Sequence, residues 1–347
     1  MTISADRSEA IIAHRARERK RWRYVLLFLL ITAVSLVFDI ATGPSMLSPS
    51  EVIRSLTGIG ERAAMTDAIV REFRLPMALV VGAALGAGGA QMQTLLNNPM
   101  ASPYTLGMAA AAGFGAALSL AFGGFGLHPM ISVPIGAFIF SMIAALFLFM
   151  LASMRTVRTE TIILGGIALL FLFQSLLSLI QFLSSPELSQ QILFWLFGSL
   201  TKATWPTLAL TAVVTLVCCL MLMADSWKLA ALRMGEMRAL SLGVNVRQLR
   251  MKILIIVAVM TATATSFVGV IGFIGLVAPH IARMVVGEDQ RFSLPMSVLA
   301  GALMLSAASV LSKSIVPGAL FPVGIVTAIV GVPFLLWLIF APRRRTL

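Results

Sequence analysis

The sequence predicts an all-α membrane protein, a polytopic bundle of ten transmembrane helices with both termini in the cytoplasm, and three observations carry that expectation. Hydrophobic residues make up 59% of the 347 and charged residues only 12%, with a mean hydropathy of +0.97; a soluble domain carries about 25% charged residues. Apolar stretches recur at lengths suited to a hydrocarbon core of about 30 Å, which takes about 20 helical residues to cross. Basic residues are unevenly shared between alternate gaps. Runs such as 24–38 and 135–151 are apolar on every face, which excludes the half-polar strands of a β-barrel.

Residues 1–23 form a basic arm with seven Lys and Arg, among them Arg15, Arg17, Arg19, Lys20, Arg21 and Arg23. Such an arm stays in the cytoplasm and orients the apolar run 24–40 that follows. No small-residue cleavage site precedes Asp39, so this run reads as a retained helix and not a removed signal. Residues 24–347 are expected to form the ten-helix domain, with further crossings near 75–95, 104–122, 130–152, 161–183, 205–224, 252–269, 271–286, 293–315 and 323–341. Gly, Pro and charge mark most of the gaps. Alternate threading puts 20 of the 26 basic residues on the cytoplasmic side, as the positive-inside rule requires.

That topology accounts for the net charge of +12 without a nucleic-acid partner. The tightest boundary is Gly269 to Gly275, where one apolar stretch must hold two helices and a turn, which glycines allow. Outside, Ser48-Pro49-Ser50-Glu51 carries the capping signature of a short helix. The aromatic run 194–197, inside the outer segment 184–204, suits a helix at the membrane interface.

Chemistry is sparse. No stretch reads GxxxxGK[ST] and no Gly precedes a Lys, so the phosphate-cradling loop of an ATPase is missing. There is no HExxH and no nucleophile elbow, and His280 lacks neighbouring ligands, so it is expected to pack and not to hold metal. Adjacent Cys218 and Cys219 point in different directions on a helix and read as core. The chain is therefore expected to be no enzyme and to bind no cofactor. Asp39 ends the first helix, while Glu160 and Asp225 lie at cytoplasmic helix ends, where water would carry their hydration. An interior so poor in ionisable groups argues against an ion-coupled carrier.

Several runs taken in order resemble the FecCD-type permeases of ABC importers for iron siderophores, haem and vitamin B12. They are Arg74-Leu75-Pro76, Val81-Gly82-Ala83-Ala84-Leu85 through Gly89-Ala90-Gln91, Asn98-Pro99-Met100-Ala101-Ser102-Pro103 and Leu106-Gly107. Further along come Trp195-Leu196-Phe197-Gly198-Ser199-Leu200, Ala239-Leu240-Ser241-Leu242-Gly243-Val244, Gly272-Phe273-Ile274-Gly275 through His280, and Pro322-Val323-Gly324. The resemblance spans nearly the whole chain after the arm. It implies a ten-helix permease in a bacterial inner membrane, paired with a second copy or a homologue. It also implies ABC ATPase subunits that use ATP below and a periplasmic or lipid-anchored substrate-binding protein above. Ferric siderophore is the commonest cargo of the family; cobalamin, haem and oxyanions stay open.

Three sets of residues are candidates for function. Gln174, Ser178 and Gln181 share one face of an apolar helix, either bonding neighbouring helices or lining a pathway; the family's helix here borders the translocation path. Asn97 and Asn98, before Pro99, either break the helix or touch cargo at the inner mouth. Residues 225–251 form a basic cytoplasmic segment broken by Gly235 and Gly243. It is either a solvated loop or, with Met237, Leu240 and Val244 as an apolar face, a docking element. It resembles the family's coupling helices, which assigns Leu232, Gly235, Glu236, Leu240, Gly243 and Val244 to ATPase coupling. The resemblance also implies that Arg74, helped by Arg71 and by Lys313 in place of an arginine, pairs with carboxylates of the binding protein. Met77, Ser309, Lys313 and Leu320 depart from the family's pattern there.

Overall fold

The structure, a computed structural model, describes residues 2–43, 47–58, 64–70, 76–154, 159–315 and 321–340. Among these residues every regular element is helical. α1 (Thr2–Ala41) runs from the basic arm through the first apolar stretch without a break. α2 (Pro49–Thr57) begins at the expected capping box: Ser48 N–H donates to Glu51 Oε2 at 2.8 Å, and Glu51 N–H donates to Ser48 Oγ at 3.3 Å. After the short α3 (Ala64–Ala68) come α4 (Met77–Leu95), α5 (Met108–Ala121), α6 (Pro129–Ser153), α7 (Thr159–Leu183), α8 (Pro186–Leu196) and α9 (Trp205–Ala224). Then follow α10 (Ser226–Arg233), α11 (Glu236–Ser241), α12 (Val246–Val268), α13 (Ile274–Val286), α14 (Gln290–Ile315) and α15 (Val323–Phe340).

Each of the ten expected crossings coincides with one of these helices. Six of them, in α1, α6, α7, α9, α12 and α14, are long and apolar enough to span a bilayer, while α5, α13 and α15 carry shorter apolar stretches. The remaining one, α4, is rich in Gly and Gln because its surroundings are protein: 16 of its 19 residues are buried. It packs against α12, α13 and α14. A Cβ on Gly82 would strike the Gly301 carbonyl, and a Cβ on Gly301 would strike that of Gly82. The small-residue stripe seen at Gly82 and Gly86 therefore lets two backbones touch, gaining dispersion where no aqueous driving force exists. Of the two glutamines of α4, Gln93 is satisfied internally, whereas Gln91 donates its Nε2 to Gln290 Oε1 at 3.3 Å and keeps a buried Oε1 without a partner. Gln93 Nε2 donates to Leu276 O at 3.2 Å, Gln93 Oε1 accepts from Arg283 at 2.5 Å, and Gln290 Nε2 donates to Thr94 Oγ1 at 2.8 Å.

Helix ends sort into two groups. Residues near the ends of α5, α12 and α14 and the starts of α6, α9 and α15 line one shared cavity. At the other end Arg21 meets Asp289 at 3.6 Å, Arg233 meets Glu288 at 2.8 Å, and Lys252 meets Asp225. The turn at 269–273 separates α12 from α13 within the single apolar run: Gly269 takes φ 80° and Phe273 takes φ 66°.

Candidate functional site

At the cavity end, the loop after α8 folds back on the α12–α13 turn and on the start of α15. Ser199 N–H donates to Val268 O at 2.7 Å and Gly324 N–H donates to Phe197 O at 3.0 Å. A Cβ on Gly324 would run into that Phe197 carbonyl, so the chain there has no room for a side chain. Three separate runs of sequence are thus tied backbone to backbone. Beside this clasp lies a cavity of about 1100 Å³, with Phe194, Trp195, Phe267 and Phe321 on its apolar side and Gln191, Thr201, Lys202, Thr204, Ser309 and Ser312 among its polar residues.

Lys313 also lines the cavity. Its Nζ donates to Asp39 Oδ1 at 2.7 Å and to the Asp39 carbonyl at 2.9 Å, with side-chain exposures of 17% for the lysine and 5% for the aspartate. The reading of Asp225 as a hydrated carboxylate is corrected here, and Asp39 shares its surroundings. Both residues are 3% exposed, and what offsets their desolvation is pairing. Asp225 accepts from Lys228 at 2.7 Å and from Lys252. Burial pushes the Asp225 carboxyl upward, but the two lysines outweigh that and hold it below the ordinary carboxylate value. Glu160 is exposed, as expected.

At the opposite end, α10 and α11 form a platform. α11 ends in a Schellman motif, with Gly243 N–H donating to Leu240 O at 2.9 Å and Val244 N–H donating to Ala239 O at 3.0 Å. Gly243 has φ 78° with open space around it, so the glycine serves backbone conformation and nothing else. The expected face of Met237, Leu240 and Val244 is corrected. The chain turns at Gly243, helical spacing ceases, and Val244 (4% exposed) packs inward with Ala239, as does Leu232 (8%). The outward apolar residues are instead Met234, Met237, Leu240 and Leu242, at 53%, 79%, 51% and 55% exposure. Gly235 opens α11 with φ 109°. Glu236 accepts from the buried Arg250 at 3.4 Å, anchoring the first turn of α11 to α12.

The remaining candidates fall in different places. Gln174 and Ser178 are exposed on α7 and Gln181 is partly so, while Phe173 and Leu177 on the adjoining side are buried. Ser178 Oγ donates to Gln174 O of its own helix at 2.9 Å. Asn97 takes φ 43° after α4 and Asn98 Oδ1 accepts from Met100 N–H at 2.9 Å, a local turn that ends the helix. These asparagines lie at the end away from the cavity. Arg71, Arg74 and Leu320 lie outside the described residues; Met77 is fully buried in α4. The polar lining of the cavity was not legible beforehand, although Ser309, Ser312 and Lys313 recur at helical spacing and Thr201-Lys202-Ala203-Thr204 is a polar break between apolar runs.

Residues 29–341 match the FecCD transport family. The chain belongs to the FecCD transport family. It is a permease subunit of an ABC importer of FecCD type and a multi-pass membrane protein. This FecCD chain is 35% identical over 329 residues to the hemin transport system permease of Yersinia pestis, covering 93% of the chain and 97% of that protein. It is 32% identical over 340 residues to the vitamin B12 import system permease of Vibrio vulnificus, covering 95% and 96%. Its fold matches a solved transporter described as metal-chelate type and inward-facing, with a TM-score of 0.82, 27% identity, and coverage of 92% and 99%. The FecCD runs at 195–200 and 322–324 are tied to each other beside the cavity, and the first is also tied to Val268, just ahead of the run at 272–280.

Proposed function

We propose that the chain crosses a bacterial inner membrane ten times with both termini in the cytoplasm and imports a chelated metal, most simply a ferric siderophore. It pairs with a second permease, receives cargo from a binding protein at the cavity end, and is driven by separate ATPase subunits at the α10–α11 end. The observation that carries this reading is α11 itself. A six-residue helix is held rigidly by Ala239, Val244 and Glu236 while turning Met237 and Leu240 outward, and apolar anchors on a fixed helix suit a groove on a partner. The exposed polar face of α7 supports a pathway between two permeases. Because Lys313 is already neutralised by Asp39, docking of the binding protein falls mainly to Arg71 and Arg74.

A bulky organic chelate suits the cavity, whose aromatic and hydroxyl lining offers surface and hydrogen bonds at once. The test is reconstitution in proteoliposomes with the ATPase and binding protein. Uptake of ferric siderophore is expected to require ATP and the binding protein; uptake that persists without ATP and collapses with an uncoupler would overturn the reading.

A further inference from the structure

α1 has two faces with different fates. Val25 packs with Ala282 and Val286, Ser35 meets Ser306 at 2.8 Å, and Asp39 meets Lys313; at the same helical spacing Arg21 meets Asp289. The opposite face carries Leu26 and Leu30, 60% and 62% exposed. Followed toward the N-terminus in steps of one turn, that outward face becomes Arg23, Arg19 and Arg15, all exposed and, among the described residues, without an acidic partner. At 3.6 residues per turn the three arginines fall within about 80° of arc, on the side of the two leucines.

We infer that this ladder binds the phosphate groups of anionic phospholipids in the cytoplasmic leaflet, an inference that rests on the membrane placement proposed above. The levels agree. Trp22, 51% exposed beside Arg23, marks the interface where tryptophans settle. Arg23 to Arg15 spans about 12 Å of helix, against a headgroup layer of about 5–8 Å per leaflet, so the ladder starts among the phosphates and reaches the water. Guanidinium forks pair with phosphate oxygens in a bidentate manner. A protein partner is disfavoured by position, because the face continues directly into lipid-covered leucines. The α10 platform, tied to Glu288 through Arg233, lies on the side of α1 where Arg21 meets the neighbouring Asp289.

The experiment places full-length permease in nanodiscs of mixed phosphatidylcholine and phosphatidylglycerol and measures retained lipid by native mass spectrometry. Wild type is expected to enrich phosphatidylglycerol. The R15Q/R19Q/R23Q variant is expected to lose that enrichment, by about five-fold per arginine and about a hundredfold in all, and added salt to weaken it. Arg21→Gln, on the inner face, is expected to leave it unchanged. Unaltered enrichment in the triple variant overturns the inference, as does displacement of the lipid by millimolar inorganic phosphate. ATP-driven chelate uptake by wild type in pure phosphatidylcholine is measured alongside, so the transport reading stands or falls separately.

Discussion

At the scale of single residues, the pairing of Asp39 with Lys313 shows why charge in this chain has to be read in three dimensions. Removing one partner of a buried pair leaves an uncompensated charge and costs roughly 3–5 kcal/mol, whereas replacing both with apolar groups is often neutral. Asp39→Leu alone is expected to lower the unfolding temperature in detergent sharply, and adding Lys313→Met to restore most of it. Equal losses in the single and double variants would contradict the pairing. Asp225 offers a pH test. Its carboxyl is held below the ordinary value of 3.8, so its clasp with Lys228 and Lys252 stabilises fully above that pH and is lost as pH falls through the lowered folded value. Acid-induced loosening of α10, followed by limited proteolysis, is expected for wild type, while Asp225→Asn is expected to be loosened already at neutral pH.

Neither pair was legible in the sequence. Asp39 and Lys313 stand 274 residues apart, and hydropathy reports only that each lies near a helix end. The fate of Val244 was hidden for a different reason: helical spacing was extended through Gly243, where the backbone leaves the helix. The glycine itself held the correct information, since a left-handed residue after a short helix brings the following apolar side chain back to the body.

At the scale of elements, periodicity and capping located the helices well. The Ser48 capping box, the breaks at Gly235 and Gly243, and the turn in the 269–275 run all stand where composition put them. Length and apolarity are least informative for α4, whose Gly and Gln content describes contact with protein and not with lipid. α11 carries the element-level prediction. Met237→Asp and Leu240→Asp alter side chains that are mostly exposed, so folding and thermal stability of the permease should be kept. Binding of the ATPase subunit, measured by pull-down or fluorescence titration, is expected to weaken by more than tenfold, as hot-spot side chains do. Val244→Asp, by contrast, is expected to reduce folded yield.

At the scale of the whole molecule, the positions of the helices were readable from hydropathy. The cavity was not readable, because it is assembled from the loop after α8, the ends of α12 and α14 and the start of α15. Those pieces come together through backbone hydrogen bonds, close approach and the bond from Ser312 Oγ to Phe321 O, which leave no mark in a hydropathy profile.

α1 and α14 run side by side in the same direction and are fastened at three heights: Arg21 and Glu18 to Asp289 and Arg291 at one end, Asp39 to Lys313 at the other, and Ser35 to Ser306 about one turn of α1 before that. Sliding or splaying would have to break all three together, so the pair behaves as a strut. Any change of shape during a transport cycle is then displaced onto helices outside the strut such as α7, the least covered of the six long apolar helices, with 22% of its apolar stretch buried by the rest of the chain. Spin labels at Ile31 and Met304 are expected to keep one distance with and without ATP, while a label on Leu172 moves relative to both. A molecule built on a strut has a fixed mast, and its gate is to be sought on the side that the mast does not hold.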